Sequence, residues 1–172
     1  MLDWLRKVLL GPGPNLYYPN GLRPPPFLNC GVRTQKEIWD AIEEQVGLGG
    51  IGPFGDMLFQ VTTAEALEVY AKWWAREHAW MRGDISYQTG WRDCDNFSAA
   101  FIGDLSKWPG WLAMPKAVVW SNLYGGHAYN YVVALENMDR LGVYLVNPQS
   151  GEVEKMEADH FEKYGPAQIM IS

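Results

Sequence analysis

Cys94 sits in the stretch Gln88-Thr89-Gly90-Trp91-Arg92-Asp93-Cys94-Asp95-Asn96-Phe97, which reads as a loop running into a helix. Asp93 suits the N-cap, because its short carboxylate can accept a first-turn N–H. A thiol at that helix start meets the positive end of the macrodipole, which favours thiolate over thiol. Gln88 lies upstream of the turn, where its amide can curl back and donate to an oxyanion. A nucleophilic thiol also needs a base, and a group that orients the base. His127 opens a strand-like run after Gly125-Gly126, and Asn147 closes the next run just before Pro148. If these runs pair across the turn 137–141, the start of one lies beside the end of the other. Asn147 can then fix the imidazole tautomer while the second ring nitrogen faces Cys94. Cys94, His127 and Asn147 thus form a consistent triad in chain order, with Gln88 and the Cys94 backbone N–H as oxyanion donors. The chemistry expected of such a set is thiolate attack on a carbonyl through a thioester.

The elements that must carry these residues are legible in outline. Thr34-Gln35-Lys36-Glu37 is a capping box, and Ile38, Ile42 and Val46 follow on one helical face. The run 47–55 (GLGGIGPFG) ends that helix; without the Lys-Ser/Thr ending it is no phosphate loop, and it reads as a cleft wall or lid. A second box, Thr62-Thr63-Ala64-Glu65, opens the longest helix, expected over 63–80. Leu67, Tyr70 and Trp74 form its core stripe. His78 shares the stripe and reads as a packing or capping histidine rather than a catalytic one. Arg82-Gly83-Asp84 is a turn. Phe97, Ala100, Phe101 and Leu105 give the Cys94 helix a buried face. Beyond Trp108-Pro109-Gly110-Trp111 the pattern becomes strand-like, with strands expected at 117–123, 127–136, 142–147, 152–156 and 167–172. A short helix is expected at 159–164. Helices first and short strands after give an α+β class with antiparallel pairing.

Composition bounds the rest. The 172 residues are 48% hydrophobic and 20% charged, which describes a chain able to bury a core. A net charge of −6 argues against nucleic acid or an anionic membrane as partner. No stretch is apolar and long enough to span a bilayer. Residues 1–10 (MLDWLRKVLL) lack the h-region of a signal peptide. Residues 11–26, dense in Pro and Gly, read as an extended arm. The expected organisation is an arm over 1–33 and one domain over 34–172. Two cysteines, Cys30 and Cys94, are too few for a disulfide framework, and no zinc spacing is present. Synthesis in a reducing cytoplasm is expected, with release or association with a virion as later fates.

Asp-Cys-Asp-Asn-Phe, then Gly-His-Ala-Tyr-Asn, then Val-Asn-Pro-Gln resembles the papain-like and transglutaminase-like cysteine peptidase superfamily. Within it, the stretch 88–151 is most similar to the C-terminal peptidase domain of a mushroom agglutinin and its phage and bacterial relatives. The resemblance implies a papain-like α+β fold, with the nucleophile helix packed on a C-terminal antiparallel sheet. It implies a thiol hydrolase acting on a peptide or protein through Cys94, His127, Asn147 and Gln88. Asn147 stands where those relatives carry an acidic residue, so the imidazolium loses a countercharge. Calcium activates that agglutinin family. Asp93 and Asp95 could contribute to a calcium site, though a capping Asp93 and a solvated Asp95 explain them as well. No other cofactor is implied. Two other enzyme readings use the same site: a cell-wall peptide amidase and a transglutaminase-like acyl transferase. A third reading is a catalytically silent structural or binding module, of phage origin in one version.

Overall fold

The computed structural model describes residues 24–46, 57–79, 93–107, 116–121, 126–157 and 168–170. Gln88, the turns at 82–84 and 108–111, the loop 47–55, the expected helix 159–164 and the arm up to residue 23 lie outside the described residues.

Strand β1 (Val32–Thr34) leads into helix α1 (Gln35–Val46). The capping box forms here: Glu37 N donates to Thr34 Oγ1 at 3.3 Å, and Thr34 N donates to Glu37 Oε2 at 2.7 Å. Strand β2 (Leu58–Gln60) pairs antiparallel with β1, and helix α2 (Ala64–Glu77) follows. Its N-cap is Thr63, whose hydroxyl accepts from Ala66 N at 3.2 Å. The cap therefore lies one residue later than the Thr62 box predicts, and the helix stops at Glu77 rather than at residue 80. Helix α3 (Cys94–Leu105) begins with the cysteine at its first position.

Strands β3 (Lys116–Ser121), β4 (His127–Leu135), β5 (Leu141–Asn147), β6 (Glu152–Lys155) and β7 (Gln168–Met170) form one antiparallel sheet in the order β6-β5-β4-β3-β7. The class is thus α+β, as the pattern of helices then strands implies. Short β1 and β2 were not legible, because three residues are too few to show alternation. They form a separate sheet, and the segment after β2 touches the larger one through a single parallel bridge of Thr63 with Leu135, where Leu135 N donates to Thr62 O at 2.8 Å.

The five-stranded sheet has a core on each face. Because strand side chains alternate, Tyr131, Val133 and Leu135 of β4 face Ile38, Ala41 and Ile42 of α1. Val132 and Ala134 face Leu67, Tyr70 and Trp74 of α2 and Phe97, Phe101 and Leu105 of α3. Central strands covered on both faces read as continuous apolar runs, which is why β4 and β5 are Val-, Leu- and Tyr-rich. Full burial of a Leu or Phe contributes about 2 kcal/mol, so the two layers together dominate stability.

Gly151 closes the β5–β6 turn at φ +77, a left-handed conformation that glycine adopts without cost. A Cβ there would lie 2.9 Å from Ala71 O, so the turn presses on the backbone of α2.

Candidate functional site

The start of α3 is fixed by local bonds. Asp93 is its N-cap, and Asp93 N donates to Asn96 Oδ1 at 3.4 Å. Asn96 N donates to Asp95 Oδ1 at 2.9 Å. Cys94 is buried, at 2% exposure, and both cysteines are free thiols. A hydrogen bond to Asp93, with some burial, raises the Asp95 carboxyl above its ordinary value. Asp93 and Asp95 thus engage each other, and no cluster of three or more metal-ligating side chains occurs among the described residues. Calcium takes six or more oxygens, so this pair alone does not fit the ion.

His127 begins β4 and is half-buried. Burial lowers its imidazole below the ordinary value, and a hydrogen bond with the Asn147 side chain pulls it partly back. The pairing that brings them together is the predicted one. Asn130 and Val146 are the last registered couple of β4 and β5, and Asn147 lies one step beyond. Asn147 also organises the turn that follows: its Oδ1 accepts from Gln149 N at 3.1 Å, and its carbonyl accepts from Gly151 N at 2.8 Å. The ring of Tyr129 meets His127 edge-on, with centroids 4.4 Å apart.

Strand alternation sets the odd positions of β4 on one face of the sheet and the even positions, which meet α3, on the other. His127 and Tyr129 share a face with Tyr131, on the α1 side. Helix α3 packs on the other face, where Asn130 Nδ2 donates to Ser98 O at 3.1 Å. Among the described residues no hydrogen bond joins Cys94 to His127. The structure therefore assembles His127, Asn147 and Tyr129, with Cys94 at the neighbouring helix start and Gln88 outside the described residues.

Sequence reasoning missed a second polar cluster. Asp104 of α3 receives Trp74 Nε1 at 2.9 Å and His78 Nε2 at 2.8 Å on Oδ2, and Lys107 Nζ on Oδ1. His78 is the C-cap of α2, stacked on Trp74 at 4.0 Å and 14°, and its Nδ1 lies 2.9 Å from Trp74 O. Burial alone would push the Asp104 carboxyl up, but His78, Lys107 and Trp74 together outweigh it and hold it at about 2. The histidine signal was present in the helical stripe; its partner, in another helix, left no local trace.

No protein-family model and no curated protein matches this sequence. Solved structures do match. One is "PSL1a-E64 complex", with 21% identity and a TM-score of 0.54 over 72% of this chain and 45% of that one. Another is Polyporus squamosus lectin bound to the human-type influenza-binding epitope Neu5Acα2-6Galβ1-4GlcNAc, with 18% identity and a TM-score of 0.56 over 81% of this chain and 48% of that one. At such identity the likeness shows the fold, and the chain spans about half the length of the solved chains it matches.

This comparison corrects the expectation of a peptidase. One of these solved chains is a lectin bound to a sialylated glycan, so the expectation of a papain-like or transglutaminase-like peptidase, with its thiol-hydrolase activity and catalytic triad, gives way to that of a binding module. The misleading signal was a set of short motifs. A Cys at a helix start and a His at a strand start also arise from ordinary capping and packing.

Proposed function

We propose that this chain is a binding module with a glycan ligand. The observation that carries the reading is its fold-level likeness to a lectin solved with a sialylated trisaccharide. The group where β4 begins and β5 ends suits that chemistry. Asn147 and His127 offer donors and acceptors for sugar hydroxyls. Tyr129 adds an apolar ring edge for sugar C–H groups. The papain-like description of the fold belongs here too, as a matter of architecture alone. It is supported by α3, which enters at Cys94 and lies across β3 and β4.

Calorimetric titration with Neu5Acα2-6Galβ1-4GlcNAc and with the asialo disaccharide tests the reading. Binding of the sialylated glycan is expected, weakened at least about tenfold in Asn147→Ala, the loss of roughly one buried bond to the ligand. Absence of binding to any glycan on a broad array overturns the proposal. So does Cys94-dependent turnover of a peptide.

A further inference from the structure

One turn inside the start of α3, its buried stripe passes from Cys94 to Ser98. Opposite them on β4 stands Asn130. Ser98 and Asn130 are both at 0% exposure and Cys94 at 2%. The Asn130 amide is oriented by Ser98 O, 3.1 Å from Nδ2; the flipped amide would set carbonyl against carbonyl. That leaves Asn130 Oδ1 and Ser98 Oγ, both buried and neither with a protein partner. Native interiors rarely leave such atoms unmet. The residues on either side are apolar: Phe97, Phe101 and Val132. A small species that can donate to one oxygen and either donate to or accept from the other fits this setting, and a charged one does not.

We propose that an ordered water is enclosed between α3 and β4, donating to Asn130 Oδ1 and bonded to Ser98 Oγ, with the Cys94 thiol as its third neighbour. Cys94 and Ser98 are four apart on one helix, so their side chains stack on the same face. The water ties the first turn of α3 to the strand that His127 begins, and does so whatever ligand the module takes.

A high-resolution crystal structure and the stability of Ser98→Ala test this together. Density bonded to both Ser98 Oγ and Asn130 Oδ1 is expected. Ser98→Ala should then lower the melting temperature by about 2–4 °C, the shift for one buried bond in a chain of this size. A dry interior overturns the proposal, and in that case Ser98→Ala removes an orphaned hydroxyl and leaves the melting temperature level or higher. A direct Ser98 Oγ to Asn130 Oδ1 bond with no water also overturns it. The double variant Ser98→Ala with Asn130→Leu gives a further check: its melting temperature should exceed that of Ser98→Ala, since no polar atom is left unmet.

Discussion

Asp104 holds the end of α2 against α3 through His78 and Trp74, and its other oxygen pairs with Lys107 three residues on. Its carboxyl sits at about 2 in the folded chain against 3.8 ordinarily. A depressed acid stabilises the fold above its unfolded value and loses that contribution as pH falls through the folded value. The window is therefore between about pH 4 and pH 2, and the contribution is about 2 kcal/mol. Urea denaturation should show Asp104→Asn less stable than the parent by about that amount at pH 6, with the gap narrowing towards pH 2. His127 behaves in the opposite charge sense. Its ring is lowered by burial, so folding is favoured above its ordinary value and penalised as pH falls below it. Removing the Asn147 amide takes away the group that raises it. Asn147→Ala should move the His127 titration, followed by NMR of the ring protons, to still lower pH; an upward move would contradict the assigned pairing.

At the scale of elements, Gln45 shows how a helix completes a sheet. Strand β6 ends at Lys155, and Met156 N donates to Val143 O at 2.8 Å. Past that point β5 has no strand neighbour on its outer side among the described residues. The buried Gln45 side chain of α1 takes over: Nε2 donates to Leu141 O at 2.9 Å, and Oε1 accepts from Val143 N at 3.0 Å. Replacing it by Leu strands two buried backbone groups, at a cost of about 2–4 kcal/mol. Hydrogen exchange at the Val143 amide should accelerate in Gln45→Leu before any change at the amides paired between β3 and β4. Nothing local to Gln45 announces this role, since its partners lie 96 and 98 positions away. The caps at Thr34 and Asp93 were legible because each acts within one turn of chain, whereas the adjacent threonines Thr62 and Thr63 left the α2 cap legible only to within one residue. The antiparallel pairing of β4 with β5 was legible because a short turn leaves few other arrangements. The His78–Asp104 pair and the two short strands were not, since their partners are distant or their runs too brief. Of the four-residue site, His127 and Asn147 do meet, whereas the edge-on contact of Tyr129 with His127 left no trace in the sequence pattern.

For the whole molecule, charge and coverage set the expectations. With a net charge of −6, the chain repels an anionic sugar at long range. Salt screens that repulsion, so affinity for the sialylated trisaccharide should rise between low and physiological ionic strength. Affinity for the asialo disaccharide should not, and parallel titrations would separate the two. Among the described residues no helix is long and apolar enough to cross a membrane. The solved chains of similar fold are about twice as long, so this chain corresponds to one part of such an architecture.

The two-sided sheet has one more consequence. Odd positions of β4 from 131 to 135 belong to one core, and even positions from 132 to 134 to the other. An inserted residue in this strand would trade the two sets across the partition at a stroke, and neither layer could absorb the exchange. The bend at 137–140, which hangs on its own side-chain bonds to Asn137, carries no such debt to either side. Length variation among descendants of this chain should therefore collect at that bend and spare the strand before it.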